Sequence, residues 1–114
     1  MQAGLPLPAS VSGTALIDTG CSHTAIDGDV CLAMGLRRTA FIHRAHAAGS
    51  SITPAYAVQL TFPGFMNAHF SLLKAASVDL SQAQSGCIVL LGRDFLSRVK
   101  FTYNGVRGRF ELDF

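Results

Sequence analysis

The residues that could do chemistry gather at two places far apart in the chain. The apolar run Thr14-Ala15-Leu16-Ile17 leads straight into Asp18-Thr19-Gly20, and a second apolar run, Cys87-Ile88-Val89-Leu90-Leu91, ends in Gly92-Arg93-Asp94. A strand that delivers a carboxylate into a tight Thr-Gly loop holds it rigidly. Gly20 permits close approach of backbone, substrate or a second copy of the loop. Thr19 adds a hydroxyl that can hydrogen-bond to a neighbouring backbone. One carboxylate so placed simply ionises. Two of them about 3 Å apart cannot both carry charge and share a proton. The charged member then takes a proton from a water held between them, while the protonated member donates to a scissile carbonyl. That chemistry requires no metal, cofactor or covalent intermediate.

Asp-Thr-Gly alone also fits an Asx-turn at a strand end. The tripeptide occurs once in the 114 residues. Asp27, Asp29, Asp79, Asp94 and Asp113 lack its flanking strand and glycine, and Asp94 reads as a helix-start carboxylate favoured by the macrodipole. A dyad built on Asp18 therefore takes its second carboxylate from a second chain. Homodimerisation about a two-fold axis through the site is a requirement of that chemistry.

Two other constellations compete. Cys21, His23, Cys31, His43 and His46 invite zinc, but their spacings match no closed tetrahedral pattern and no Cys-x-x-Cys is present, so no metal is expected. A Cys21 nucleophile needs a histidine base, and His23, two residues on in an extended loop, is badly placed to face it. His43 and His46 fall on a hairpin where surface or substrate-contacting roles suit them.

The elements that must position these residues are short and separated by frequent turn signals. Leu5 to Val11, with Pro6 and Pro8, reads as an extended edge segment. Residues 14–17 read as a buried strand from their unbroken apolar run and Thr24-Ala25-Ile26 as a second short strand, and Asp27-Gly28-Asp29 offers N-cap oxygens to a helix from Val30 to Met34 closed by Gly35. Thr39 to Ala47 and Ile52 to Phe62 form a hairpin around Ala48-Gly49-Ser50-Ser51. Asn67 to Leu73 is a further strand, residues 81–86 a polar loop, 87–91 a buried strand, and Arg93 to Arg98 a short helix. The last hairpin turns at Asn104-Gly105 in the manner of a type I′ turn. With about seven strands, two short helices and no βαβ rhythm, the class read from the sequence is all-β.

Composition bounds the function. The chain reads as a single domain over residues 1–114, with 49% apolar and 14% charged residues, a balance that favours apolar surface covered by a partner. A net charge of +2 from scattered basic residues gives no footprint for nucleic acid. Three irregularly spaced cysteines imply no disulfide framework and fit a reducing cytoplasm. No apolar run approaches the ~18 residues that span a bilayer. The opening Met1-Gln2-Ala3-Gly4-Leu5-Pro6 lacks the flanks of a signal peptide and is compatible with a longer parent protein.

Ala15-Leu16-Ile17-Asp18-Thr19-Gly20-Cys21-Ser22 and Leu90-Leu91-Gly92-Arg93-Asp94-Phe95-Leu96, in that order with a Gly-tipped hairpin between, resemble the retropepsin-like aspartic proteases, in particular bacterial single-domain relatives of the retroviral enzymes. The resemblance covers about Thr14 to Phe114. It implies a closed acid-protease β-barrel or sandwich with one or two short helices, acting as a homodimeric endopeptidase on peptide or protein substrates. Asp18 becomes the catalytic aspartate, with Thr19 and Gly20 completing its loop and Thr19 locking two loops across the dimer axis. Ala47, Ala48, Gly49 and Ser50 match the flap over the substrate. Leu90-Leu91-Gly92 matches the strand threading beside the catalytic loop, and Gly92 and Arg93 support it. His23, Ile26 and Leu90 are expected along the substrate walls, and apolar residues there, with Ala48 and Ile52, would favour apolar side chains beside the cleaved bond. Two positions depart from the retroviral pattern: Cys21 replaces an alanine, and Ser22 replaces the acidic residue that ordinarily pairs with the arginine. Arg93 is therefore expected to bond to backbone or to another carboxylate. A catalytically silent dimerisation or peptide-binding module on the same scaffold is the alternative reading.

Overall fold

In the computed structural model, which describes residues 10–46, 48–64, 68–81 and 86–114, the chain passes through strand β1 (Ala15–Ile17), strand β2 (Ala25–Asp27), helix α1 (Gly28–Met34), and strands β3 (Arg38–His46), β4 (Gly49–Thr61) and β5 (His69–Val78). Strand β6 (Val89–Leu91), helix α2 (Arg93–Leu96) and the hairpin β7 (Lys100–Asn104) and β8 (Arg109–Asp113) complete it. The first six strands form one sheet in the order β1-β6-β2-β5-β4-β3. Strand β6 inserts between β1 and β2, parallel to β1 with Leu16 opposite Leu90, and antiparallel to β2 with Ile26 opposite Val89. Strand β2 runs parallel to β5, and β5, β4 and β3 form an antiparallel meander.

This corrects the all-β closed barrel. The sheet is mixed and open, an α/β arrangement with parallel pairs, a separate hairpin and two short helices, and among the described residues its edges β1 and β3 do not meet. The parallel partners are distant in sequence, and local periodicity carries no information about such pairing. Strands β1, β2 and β6 are three residues each, too short for the continuous staggered ladder a closed barrel requires.

The core is built around β2. Successive residues of a strand face opposite sides, and β2 is buried on both. Ala25 packs with Ile42, Ala55 and Ala76, while Ile26 packs with Cys31 and Ala75. Helix α1 supplies Cys31 to the second cluster and ends as its sequence predicts, with Gly35 in the left-handed region at φ 61°. Its start is corrected: Asp27 stands at the N-cap without capping, because its carboxylate accepts the Leu80 N–H at 2.9 Å. Phe62, Phe70, Phe95 and Phe114 pack at ring-centroid distances of 4.9 to 6.0 Å, tying α2 and the chain's last residue to the β4–β5 pair.

The final hairpin forms where expected, but its turn is corrected. Asn104 pairs with Arg109, residues 105–108 make a longer loop, and positive φ falls at Gly108 rather than Gly105. The Asn104 side chain accepts the Arg107 N–H at 3.1 Å, an Asx closure that removes the need for a two-residue turn. Most of the expected extended segment Leu5 to Val11, Asn67, and Gln82 to Ser85 of the polar loop lie outside the described residues. Among the described residues no helix is long and apolar enough to cross a membrane.

Candidate active site

Strand β1 does not stop at Ile17 in hydrogen-bonding terms. The Asp18 N–H donates to the Leu91 carbonyl at 2.9 Å, so the ladder with β6 extends to the residue that bears the carboxylate. The chain then turns sharply: the Cys21 N–H donates to the Asp18 carbonyl at 3.2 Å, and the Gly20 N–H donates to Asp18 Oδ1 at 2.9 Å. The other carboxylate oxygen, Oδ2, accepts from the Cys21 thiol at 3.1 Å. Beyond the turn, the Arg93 and Asp94 N–H groups donate to the carbonyls of Cys21 and Ser22, at 2.8 and 3.2 Å. The Arg93 guanidinium closes the arrangement from its side chain, with Nη1 donating to the Thr19 carbonyl at 2.8 Å. Arg93 thus bonds to backbone, one of the two substitutes expected for the missing acidic partner.

A buried buttress lies behind the loop. Thr24 is fully buried, and its hydroxyl donates to Asp94 Oδ1 at 2.7 Å while accepting the Gly92 N–H at 3.1 Å. The Thr24 N–H donates to the same carboxylate at 2.9 Å, and Oδ1 also accepts the Phe95 N–H at 2.8 Å. Gly92 is obligatory for a steric reason: a Cβ there would lie 2.6 Å from the His23 carbonyl carbon. Its φ of −90° would suit any residue, so proximity alone demands glycine. The helix-start role read for Asp94 accounts for its bond to Phe95 and misses its bonds to Thr24.

The hairpin of β3 and β4 stands over this loop. From the Phe41–Pro54 pair to the His46–Gly49 pair the two strands ladder with each other and with no third strand, because β4 begins pairing with β5 at Ala55. Pro54, which has no N–H to donate, sits where the third strand has ended. Ala48, Gly49 and Ser50 lie exposed at the tip, with Gly49 at φ 132°, and Ala47 lies outside the described residues.

Between hairpin and loop is a cleft of about 260 Å³, bordered by Gly20 to His23 and Arg93 below, Ile42, His43 and Arg44 above, and Ala76. The structure thus brings together Gly20, His23 and Arg93 of the anticipated residues. Ile26 does not border the cleft; it is 3% exposed in the core beside Cys31 and Ala75. Leu90 packs against the other core cluster. Arg44 was not anticipated. Strand alternation puts it on the face of the buried Ile42, a signal present in the sequence, but which loop that face overlooks depends on the sheet order.

The electrostatics are uneven. Burial pushes the Cys21 thiol above its ordinary value, the Asp18 hydrogen bond and charge add to the rise, and the nearby Arg44 opposes it. Among the residues bordering the cleft there are two guanidiniums and two imidazoles but no Asp or Glu. Among the described residues no three His, Cys, Asp or Glu side chains gather as a metal site would require. The geometry provides a carboxylate fixed through both oxygens, at an open loop beneath a projecting hairpin. No protein-family model, curated protein or solved structure matches this chain.

Proposed function

We propose that this chain is half of an aspartic endopeptidase, in which Asp18 from each of two copies forms the water-activating dyad and an extended peptide lies beneath two hairpins. The observation that carries this reading is the Asp18 loop. Its carboxylate is fixed by Gly20 and Cys21, and its backbone is fastened to Leu91 and Arg93 from a distant part of the chain. The Gly20 contact is the Asx-turn that the tripeptide alone would give; the Cys21 thiol and the bonds to Leu91 and Arg93 go beyond what such a turn requires.

Supporting features lie around it. Thr19 is exposed, and its hydroxyl bonds to no described residue, leaving it available to a partner's loop. Strand β1, expected to be buried, is largely exposed at the sheet edge: Leu16, two residues before Asp18, is 54% exposed, where a second copy would cover it. The resemblance to retropepsin-like proteases, in motif and in order, assigns the same roles to the same residues, and a cytoplasmic setting accords with the free cysteines.

The test is cleavage of a diverse peptide library from acidic to neutral pH by the wild-type domain and by Asp18→Asn. Cleavage that disappears in the variant and rises with dimer concentration establishes the peptidase. A folded, dimeric wild type that cleaves nothing would instead support the silent peptide-binding module.

A further inference from the structure

We infer that the cleft beside Asp18 takes peptides bearing a carboxylate next to the scissile bond, with Arg44 as its specificity-determining partner and Arg93 as a second cation on the floor. The inference rests on the peptidase reading and names its substrate class.

Arg44 from the hairpin and Arg93 from the β6–α2 corner border the same cleft. Arg44 is half-buried and within hydrogen-bond reach of the Cys21 thiol, while Arg93 is exposed. Arg93 commits Nη1 to the Thr19 carbonyl, which leaves the rest of its fork unassigned. Among the described residues neither guanidinium has a carboxylate partner. A partly desolvated guanidinium without a counter-ion favours a planar anion, which it binds through two parallel hydrogen bonds. The concave wall concentrates that preference.

The apolar part of the lining is small, Ile42 and Ala76. Of the apolar residues expected along the wall, Ile26 is buried in the core and Leu90 packs against it, and neither they nor Ala48 and Ile52 border the cleft. A cleft of this make-up discriminates poorly between aliphatic side chains and well between a carboxylate and its amide. The anion could be an internal Asp or Glu side chain or the free C-terminus of a short product-side segment.

The experiment compares one peptide frame carrying Glu, Gln, Lys or Leu beside the cleaved bond, and a matched pair ending in a free carboxylate or an amide. The wild-type enzyme is expected to cleave the Glu peptide with kcat/KM about 10-fold or more above the Gln peptide. Arg44→Gln should bring that ratio near parity, and Arg44→Glu should invert it toward Lys, with circular dichroism confirming the fold. A free-carboxylate preference without a Glu preference assigns the anion to the C-terminus. Binding of the same peptides to Asp18→Asn, by fluorescence anisotropy, separates the two readings. Cleavage with equal Glu and Gln rates, and equal binding, overturns the carboxylate preference while the peptidase stands. Preferential Glu binding with no cleavage by the wild type sinks the peptidase and leaves a carboxylate-peptide binding cleft.

Discussion

The Cys21 thiol donates to Asp18 Oδ2 across 3.1 Å, three residues along the same loop. Its partner oxygen, Oδ1, is already held by the Gly20 N–H. The resemblance places an alanine at position 21, which could make no such bond, so the thiol adds a second constraint on the carboxylate. Cys21→Ala is expected to lower kcat of the peptidase by about 3- to 10-fold with little change in KM, since a weak S–H donor contributes about 1 kcal/mol. Cys21→Ser retains a donor and should recover most of the rate. Equal rates for all three proteins would show that the bond has no catalytic consequence.

The same contact makes a prediction about pH. Burial and Asp18 raise the Cys21 thiol above its ordinary value, so the folded loop retains the proton where an unfolded thiol would lose it. The contribution to stability is therefore complete below the ordinary thiol value and declines as pH rises past it. Iodoacetamide labelling of Cys21, followed by mass spectrometry, should lag behind a free thiol at mildly alkaline pH. Asp18→Asn removes two of the raising causes and should accelerate it. Cys31 and Cys87, at 2% and 3% exposed, should stay unlabelled in the native protein. A labelling rate unmoved by Asp18→Asn would contradict the coupling.

Asp94 is the buttress whose loss should be most costly. Its carboxylate accepts the N–H and hydroxyl of fully buried Thr24 and the N–H of Phe95. Asp94→Ala leaves buried donors unsatisfied and should destabilise the domain by about 2–4 kcal/mol in urea unfolding. Asp94→Asn keeps one acceptor oxygen and should lose about half as much. A midpoint unchanged by Asp94→Ala would mean that water replaces the carboxylate at no cost.

How much of this was readable in advance depends on the distance over which each feature acts. The Asp18 loop, the Gly35 cap and both hairpins are local, and their residue types announce them. Thr24 and Asp94 lie 70 residues apart and meet only because β6 inserts between β1 and β2, an insertion that leaves no mark in local periodicity. The open mixed sheet is illegible in the sequence for the same reason. Ile26 read as a wall residue because an apolar residue next to a site serves a cleft or a core equally well, and its burial on both sides of β2 decided for the core.

Two glycines of similar appearance should behave oppositely. A Cβ at Gly92 meets backbone of His23 and Thr24 at 2.6 to 2.8 Å, and neither can yield without moving the loop. Gly92→Ala is therefore expected to cost about 2–3 kcal/mol and to reduce cleavage by displacing Asp18. At Gly105 the nearest atoms belong to the Tyr103 ring at 3.3 Å, which can rotate away. Gly105→Ala should be close to neutral in the same unfolding assay. Equal effects at the two sites would refute the steric argument for position 92.

The half-site logic predicts a mixing curve. Each chain holds one Asp-Thr-Gly, so a subunit carrying Asp18→Asn should still pair through its intact loop backbone yet contribute no ionisable carboxylate. When wild-type and Asp18→Asn chains are mixed in equal amounts and allowed to exchange, only about a quarter of the dimers carry both carboxylates if pairing is unbiased. Activity per wild-type chain should then fall to about half, and keep falling as more variant is added, to an extent set by exchange. Cleavage measured at fixed wild-type concentration against increasing variant reads this directly. Activity that stays constant throughout, with mixed dimers verified by native mass spectrometry, would mean that one Asp18 suffices and that the dyad is not the catalyst.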